Sequence, residues 1–301
     1  MSVCVFGSLN LDIVIRVEEI PRPGETIFGN SVTHHTGGKG ANQAIAAARL
    51  GATTRMFGKV GSDEAGRRLL SALKSDGVDC TGIAIDNLSP SGKAYILVSQ
   101  RGENVIVVSS GANSHATADS NFIGDVFLCQ FESPRAALNT FLKSSASRNS
   151  TRLLNAAPAI PAWRDLLAHC DVLIVNQHEL AAYTDLNSKT PDNTELLAKA
   201  AAHLLCGDCK AVIVTLGEQG ALLVEPDSIR LAPARKTHVV DTTGAGDCFC
   251  GALAAGIDRG LSLFEALSDA TLAASLSVER HGAAASMPTA LELKQLYASL
   301  N

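Results

Sequence analysis

The sequence is poor in aromatic residues, which make up 4% of its 301 residues and include a single tryptophan. No apolar run is long enough to cross a bilayer, which argues against a membrane protein and against a membrane partner. The first ten residues lack the basic start and long apolar stretch of a secretory signal, so we expect a cytoplasmic protein. The formal net charge of −5 argues against a nucleic-acid partner.

Two common nucleotide-binding motifs are also missing. The chain contains no G-x-x-x-x-G-K-[ST] loop and no G-x-G-x-x-G turn. This argues against a P-loop nucleotidase and against a dinucleotide-binding enzyme of the usual type. Any phosphate site in this chain must therefore be built in another way.

The eight cysteines do not form a pattern that indicates disulfides or a metal. Without a secretory signal, we expect reduced thiols, buried as small apolar residues. The stretch CGDC at 206–209 has the spacing of a metal or redox pair, but no second pair accompanies it, so we interpret it as a turn. His34 and His35 are adjacent on a predicted strand and would point to opposite faces, which argues against joint metal binding.

Alanine, leucine, valine and glycine are abundant, and 46% of the residues are hydrophobic, as in a globular protein with buried parallel strands. Strand-like and helix-like runs alternate along most of the chain, which predicts an α/β fold: a mostly parallel sheet with helices on both faces. Strands are predicted at 3–9, 54–61, 125–131, 151–155, 171–175 and 210–215, and a hairpin at 220–232. Helices are predicted at 39–51, 63–77, 134–145, 177–184, 193–206, 245–259, 262–278 and 289–299.

Another group of predicted strands does not fit that alternation. Three apolar runs within 82–110 follow one another with little helix between them, which indicates a meander. Together with strands between 12 and 35, they predict a small antiparallel β lid at the edge of the large sheet. No repeat or linker divides the chain. We therefore expect a single α/β domain over 1–301, with the lid formed by about 12–35 and 92–108.

The stretch DTTGAGD at 241–247 is the first candidate site. It places Gly244, Ala245 and Gly246 before Asp247, where a helix is predicted to begin. The first N–H groups of a helix favour an anion, and small residues let an oxyanion approach them. Asp247 would face that anion and could accept a proton from an attacking hydroxyl. An ordinary glycine-rich turn, with Asp247 as an early helix residue, explains the stretch equally well.

Three further stretches combine glycine or amide residues with charge. GGKGAN at 37–42 could capture a polyol or a phosphate, or could form a simple turn with an exposed lysine. NQHE at 176–179 could supply Glu179 to a metal and Asn176 to a phosphate, but the same spacing is typical of a capping box. TLGEQG at 215–220 follows an apolar strand, where α/β sheets bind ligands, and could equally be a hairpin turn.

The order of these stretches along the chain is more specific than any one of them. GSLNLD, GGKGAN, QFESP, NQHE, TLGEQG and DTTGAGD together resemble the ribokinase/phosphofructokinase-B family of carbohydrate kinases, from Val3 to about Pro288. The resemblance implies a ribokinase-like fold and transfer of the ATP γ-phosphoryl group to the primary hydroxyl of a pentose, with D-ribose as the expected sugar. The alternatives are a kinase for another furanose (2-deoxyribose, fructose or a nucleoside) and a non-catalytic sugar- or nucleotide-binding regulator. Asp247 argues against the regulator.

The resemblance also implies a role for each matching residue. Asp247 would be the catalytic base, and the backbone of Gly244, Ala245 and Gly246 the anion hole. The sugar contacts would be Asn10, Asp12, Gly38, Lys39, Asn42, Glu132 and Asp247. The nucleotide contacts would be Asn176, Thr215, Leu216, Gly217, Glu218, Gln219, Gly220, Gly246 and Thr271. Glu179 would be the acid associated with Mg²⁺, and K⁺ would lie against Asp241, Thr243, Ser277, Arg280, Gly282 and Ser286, several of them through backbone carbonyls.

Two features depart from the family pattern. The segment 111–134 is several residues shorter, so we expect a short or irregular helix before the Glu132 strand and an altered wall of the sugar site. Thr271 stands where the family often has histidine or asparagine near the adenine. Family members commonly dimerise through their lids, and we expect a homodimer here because the lid strands would expose their edges.

Overall fold

A nine-stranded sheet forms the centre of the protein, which we describe from a computed structural model covering residues 2–119, 122–146, 150–186 and 193–300. Its strands are β1 (Val3–Phe6), β4 (Thr54–Gly61), β5 (Asp79–Asp86), β8 (Val126–Gln130), β9 (Thr151–Asn155), β10 (Val172–Asn176), β11 (Ala211–Thr215), β12 (Ala221–Glu225) and β13 (Ser228–Ala232). Their order across the sheet is β13-β12-β11-β10-β9-β8-β1-β4-β5. All neighbours from β11 to β5 are parallel, whereas β12 and β13 extend the sheet as an antiparallel hairpin.

Four further strands of the described chain form a separate sheet, the lid. They are β2 (Asn10–Arg16), β3 (Ser31–Gly37), β6 (Gly92–Val98) and β7 (Asn104–Ser109), in the order β3-β2-β6-β7. The pairs β2–β3 and β6–β7 are antiparallel, and β2 pairs with β6 in parallel. These ranges agree with the predicted lid.

Helices cover both faces of the large sheet, so the predicted fold class is confirmed. In the described ranges they are α1 (Lys39–Arg49), α2 (Glu64–Ser75), α3 (Arg135–Ala146), α4 (Gln177–Tyr183), α5 (Thr194–Ala202), α6 (Ala245–Asp258), α7 (Leu263–Ser277) and α8 (Ala290–Leu300). Strand β1 shows why two cores form. Val3 and Val5 point into an apolar cluster with α1, α6 and α7, whereas Cys4 and Phe6 point into a second cluster with α3, α4 and α5.

Two predicted elements need correction. The meander prediction for 82–110 is wrong in its first strand, because β5 pairs in parallel with β4 at the edge of the large sheet. Helix α2 lies between these strands and provides the crossover that a parallel pair needs. Helix α5 ends at Ala202 instead of 206, because the next three N–H groups bond to carbonyls three residues back and tighten the chain into a turn.

The structure can also be compared with the predictions for the segment before β8, for the cysteines and for membrane spans. Between β7 and β8 the described residues contain a single short 3-10 helix, Gly111–His115, so the expected irregular segment is confirmed. The eight cysteines, all within the described residues, are present as thiols, and six are buried. CGDC forms a turn in which the Cys209 N–H donates to the Cys206 carbonyl. No helix in the described ranges could cross a membrane. The assignment of the whole chain to one domain stays a prediction.

Close backbone contacts bring α1 against both β1 and α6. A Cβ on Gly40 would lie 2.6 Å from the carbonyl carbon of Gly7, just after β1. A Cβ on Gly251 of α6 would lie 2.4 Å from the carbonyl oxygen of Gln43. These distances are too short for any side chain, so glycine is required at both positions. As a result, the first turns of α1 and α6 lie side by side at the carboxyl end of β1.

Candidate active site

Asp247 lies in the first turn of α6, and only 7% of the residue is exposed. Asn42 Nδ2 donates to its Oδ2 at 2.9 Å, and Gln43 Nε2 donates to its Oδ1 at 3.0 Å. Both donors come from the first turns of α1, which packs directly against α6. A carboxylate has about four lone-pair sites, so two amide donors leave Asp247 able to accept a further proton or hydrogen bond.

The turn before Asp247 leaves room for an anion. Gly244 has φ 77°, a left-handed conformation that glycine adopts without strain. Gly246 is exposed, and nothing lies within 4 Å of where its Cβ would be. The Ala245 N–H donates to the Thr242 carbonyl, so this N–H already has an acceptor. The helix end that can receive an anion therefore begins at Gly246.

A cavity of about 130 Å³ lies beside this helix end, here called the smaller cavity. It is lined by Lys39, Asn155, Ala157, Ile174, Val175, Asn176, Glu179, Thr215, Gly244, Gly246, Asp247 and Cys250. The four stretches GGKGAN, NQHE, TLGEQG and DTTGAGD all contribute to it. NQHE and TLGEQG lie together because Asn176 and Thr215 end the parallel neighbours β10 and β11. Lys39 and Gly244–Asp247 are brought to the same place by the starts of α1 and α6. The negative charge of Asp247 raises the pKa of Lys39 despite its burial, with smaller contributions from Glu132 and Glu179, so its ammonium group stays charged.

Asn176 and Glu179 form the capping box that their spacing predicts. Asn176 Oδ1 accepts from the Glu179 N–H at 2.8 Å, and Glu179 Oε2 accepts from the Asn176 N–H at 2.8 Å. Both residues still line the smaller cavity. Burial raises the pKa of Glu179, although the Asn176 hydrogen bond and the charge of Lys39 act in the opposite direction. A capping role and a binding role are therefore compatible here.

A larger cavity of about 410 Å³ lies between the lid and the end of β8. Its lining is Ser8, Asn10, Val108, Ser110, Asn113, Ser114, Phe131, Glu132, Ser133, Pro134, Pro158 and Trp163. Glu132 connects the two cavities, because its carboxylate accepts from the Ser8 hydroxyl and from the N–H of Lys39 at 3.2 Å. Of the predicted sugar contacts, Asn10 and Glu132 line the larger cavity, and Lys39 and Asp247 line the smaller one.

Asp12 lies on β2 and packs over Gly37, where a Cβ would lie 2.1 Å from its Oδ2. Burial raises the pKa of Asp12 to about 7, and the negative charges of Glu132 and Asp247 add to this effect. Two further predicted contacts, Gly38 and Asn42, are close by in the chain. Gly38 has φ 87° and precedes α1, and Asn42 Oδ1 is a buried atom without a hydrogen-bond partner among the described residues.

The residues of the predicted nucleotide loop, 215–220, differ in whether they face the smaller cavity. Thr215 lines the smaller cavity, Leu216 is buried, and Gly217–Gln219 form a 3-10 helix. Gly220 has φ 102°, and a Cβ there would lie 2.0 Å from the Ala232 carbonyl, so the hairpin itself requires this glycine. Thr271 is not brought to either cavity: it is buried in α7, where its hydroxyl donates to the Leu267 carbonyl at 2.9 Å.

The predicted K⁺ residues lie where two loops meet. Asp241 Oδ1 accepts from the N–H and the hydroxyl of Thr243, and Oδ2 accepts from the Gly282 N–H at 2.9 Å. Burial alone would raise the pKa of Asp241, but these hydrogen bonds outweigh it and hold the pKa below its usual range. Other side chains of the set are already engaged: the hydroxyls of Ser277 and Ser286 donate to carbonyls three residues back, and Arg280 pairs with Glu292.

Several residues of the site were not predicted from the sequence. Gln43 and Asn155 contact each other beside Asp247, and Gln130 donates to Gln43. Asn113 bonds to both backbone groups of Leu9 and donates to Asn10 Oδ1, so it fixes the wall of the larger cavity. Gln43 directly follows Asn42 in GGKGANQ, and this position next to a predicted site residue is the feature of the sequence that could have indicated it. Asn113 gives no such signal, because its partners lie about a hundred residues away.

Comparison with known proteins shows the family of the chain. The pfkB family carbohydrate kinase model matches residues 1–290, and the chain belongs to this family. A ribokinase from Schizosaccharomyces pombe is 39% identical, over 97% of this chain and 96% of that protein. Ribokinase of Arabidopsis thaliana complexed with ribose and ATP has a TM-score of 0.88 at 32% identity, covering 98% of each chain. Ribokinase of Cryptococcus neoformans var. grubii serotype A in complex with ADP has a TM-score of 0.88 at 35% identity, covering 98% of this chain and 100% of that chain.

Asp12→Asn is expected to stabilise the ligand-free protein at pH 8 but not at pH 4. The pKa of Asp12 rises from 3.8 to about 7 on folding, so the stability that its protonation contributes is complete below about pH 4 and is lost as pH rises from there through 7. Removing the charge should add on the order of 2 kcal/mol at pH 8, measured by urea unfolding. Equal effects of the substitution at both pH values would contradict the pKa assigned to Asp12.

Proposed function

We propose that the protein is an ATP-dependent kinase that phosphorylates the primary 5-hydroxyl of D-ribose to give ribose 5-phosphate. The observation that carries this proposal is the position of Asp247, whose buried carboxylate shares one cavity with the open N-terminus of α6. A proton acceptor and an anion site therefore lie side by side, as phosphoryl transfer to a hydroxyl requires. The ribokinases to which the chain is similar over nearly its whole length support ribose as the acceptor.

The sugar is assigned to the larger cavity and its border with Asp247. Asn10 and Glu132 would bind its hydroxyls from the lining, and Asp12, Gly38, Lys39 and Asn42 would complete the site. The buried and unpartnered Asn42 Oδ1 supports this assignment, because a buried acceptor without a partner costs about 1–3 kcal/mol and a sugar hydroxyl could satisfy it.

The nucleotide is assigned to the smaller cavity and the 215–220 loop. The N–H groups from Gly246 onward and the Lys39 ammonium would hold the transferring phosphoryl group, and Asn176 and Thr215 would contact the nucleotide from the cavity wall. Thr271 is left out of this assignment because its hydroxyl is bonded within α7. Gly217 is the open glycine of the loop, since nothing lies within 4 Å of where its Cβ would be.

In the reaction, the sugar hydroxyl oxygen forms a bond to the γ-phosphorus while the bond to the bridging β,γ-oxygen breaks and ADP leaves. Asp247 accepts the hydroxyl proton. The transition state is loose, so the barrier is lowered mainly by positioning the reactants and by stabilising charge on the phosphoryl oxygens. Lid closure would exclude water, which otherwise competes with the sugar as acceptor.

The residues of the smaller cavity fit Mg²⁺. This cation prefers oxygen donors, and it is usually held by one or two carboxylates together with waters and substrate phosphates. Glu179 would serve as that carboxylate, with Asn176 beside it. No group of three or more metal-binding side chains occurs among the described residues, which is compatible with this mode of binding. When bound, Mg²⁺ would neutralise charge on the β- and γ-phosphates.

A monovalent cation is proposed at Asp241. The carboxylate is ionised and joins loop 241–243 to the turn at 282, so a cation there would fix the backbone beside the anion site. The remaining residues would contribute mainly through carbonyl oxygens, because Gly282 has no side chain and the other four side chains already have partners: Thr243, Ser277, Arg280 and Ser286.

We predict faster turnover in K⁺ than in tetramethylammonium at equal ionic strength. The large organic cation cannot enter between the two loops, so the helix end would be less well ordered. Initial rates with saturating ribose and ATP measure the effect, and Asp241→Asn should remove the difference between the two salts. Equal rates for the unmodified protein in both buffers would contradict a cation site at Asp241.

A sugar panel tests the proposed acceptor. Because the site presents several polar groups, a sugar that lacks one hydroxyl leaves one of them unpaired. D-Ribose should exceed 2-deoxyribose by roughly ten- to a hundredfold in kcat/KM, and fructose should be excluded by its extra hydroxymethyl group. Coupled assays at saturating ATP give these values. If a competitor matches ribose, the chain remains a carbohydrate kinase but ribose is not its specific substrate.

Asp247→Asn should fold and lose roughly two to four orders of magnitude in kcat, the scale of a positioned general base. The asparagine keeps one oxygen that can accept from Asn42 or Gln43, so the local packing should survive. Unfolding midpoints and ADP binding check that the variant is folded. Turnover close to that of the unmodified protein would exclude Asp247 as the base.

Two further proposals concern the setting of the enzyme. The outer strand of the lid, β7, exposes Val105, Ile106, Val107 and Val108, with 44% to 59% of each residue accessible. We propose that a second copy covers this strand to form a homodimer, since exposed edges of this kind promote pairing. The mass of the purified protein in solution tests it.

We also propose a cytoplasmic location, where ATP is available.

A further inference from the structure

We propose that Gln43 is a positioning residue that holds the Asp247 carboxylate in place through a buried amide network anchored in the central sheet. The inference rests on the proposed role of Asp247 as proton acceptor. Gln43 is fully buried and both of its amide atoms are bonded to other side chains, so it has no atom left for a direct contact with the sugar or the nucleotide. Its amide instead contacts three other polar side chains.

The network connects α1 and α6 with two strands. Gln43 Nε2 donates to Asp247 Oδ1 at 3.0 Å and to Asn155 Oδ1 at 3.2 Å, and Gln43 Oε1 accepts from Gln130 Nε2 at 2.6 Å. Asn155 Nδ2 in turn donates to the Ile174 carbonyl at 3.4 Å. Gln130 ends β8 and Asn155 ends β9, so the carboxylate is tied to the middle of the sheet.

The partners of Gln43 determine which way its amide points. The oxygen faces the donor Gln130, so the nitrogen must face Asp247. A flipped amide would place its oxygen against Asp247 Oδ1 and Asn155 Oδ1 and its nitrogen against the Gln130 nitrogen, losing all three hydrogen bonds. With Asn42 on Oδ2 and Gln43 on Oδ1, each carboxylate oxygen has one fixed donor, and the carboxylate plane is thereby defined.

Both donors on Asp247, the amides of Asn42 and Gln43, are uncharged, and this matters for the proposed reaction. A cation in place of Gln43 would favour the ionised carboxylate strongly and would make it a poorer proton acceptor. An amide orients the carboxylate without adding a full charge. Lys39 already provides a cation in the smaller cavity, where the transferring phosphoryl group would need it.

Two glycines make the space that the network occupies. A Cβ on Gly251 would lie 2.4 Å from the Gln43 carbonyl oxygen, and a Cβ on Gly7 would lie 2.1 Å from Gln130 Oε1. Both glycines therefore keep the helices and β1 close enough for the amides to meet. This packing explains why a fully buried glutamine can be held in a single orientation.

The first test replaces Gln43 by methionine, which keeps the length of the side chain and removes both amide atoms. We expect kcat with ribose and ATP to fall about ten- to a hundredfold, the effect of losing a hydrogen bond to a charged group. KM for both substrates should stay within about twofold, because Gln43 contacts neither. Gln295→Met, an exposed glutamine of α8, is the matched control and should keep full activity.

A double-mutant cycle separates positioning from a general structural effect. If Gln43 acts through Asp247, then Gln43→Met should cause no further loss of kcat in the Asp247→Asn background. Equal losses in both backgrounds, or an effect confined to KM, would overturn the inference. Unchanged kcat in Gln43→Met would also overturn it and would leave the proposed function standing. Absence of ribose phosphorylation by the unmodified protein refutes the proposed substrate, and the cycle is then measured with the sugar it accepts.

Gln130→Met is the second variant, in case Gln43→Met does not fold. It leaves both donors on Asp247 and removes only the support behind Gln43. We expect a smaller loss in kcat, about three- to tenfold, which should also disappear in the Asp247→Asn background. Thermal unfolding and ADP binding verify the fold of each variant. Full turnover in Gln130→Met would show that β8 does not hold Gln43, and it would overturn the anchoring of the network through Gln130.

Discussion

A buried carboxylate needs donors from its surroundings, and in this protein the donors on Asp247 come from a helix two hundred residues earlier in the chain. This requirement constrains the packing around it. Helix α1 must begin directly after lid strand β3. Its Gly40 must pack against Gly7, just after β1, and its Gln43 carbonyl must pack against Gly251 of α6. The glycines of the GGKGAN stretch therefore serve the packing of the site as well as any ligand that binds there.

The sheet order completes the arrangement. Strands β8, β9, β10 and β11 are parallel neighbours, so Gln130, Asn155, Asn176 and Thr215 all end at one edge. Polar residues at these ends either bond to Gln43 of α1, as Gln130 and Asn155 do, or face the smaller cavity, as Thr215 does. The lid strands start from the same region, because β2 begins at Asn10 shortly after β1. The parallel order of these strands, with the lid starting directly after β1, thus brings residues from distant parts of the chain close together.

The sequence predicts those features that have local causes. The alternation of apolar runs predicts the parallel sheet, and the spacing of Asn176 and Glu179 predicts the capping box that the structure contains. Features that depend on distant partners are not predictable in this way. The pairing of β5 depends on which strand edge is free, and the contacts of Asn113 with Leu9 span 104 residues. Thr271 is predicted near the adenine only from its position in the family pattern, although its side chain is buried in the protein.

The distribution of charge explains why the proposed sugar and phosphate sites would be adjacent but distinct. Glu132, Glu179 and Asp247 all act on Lys39, and burial raises the pKa of Asp12 with a further contribution from the negative charges of Glu132 and Asp247. Such a set attracts hydroxyl donors and repels phosphate. Phosphate is acceptable only where the end of α6 and Lys39 offset the acidic groups. Asp247 lies at this boundary, so a hydroxyl that donates to it is brought next to the single part of the described site that favours a phosphoryl group.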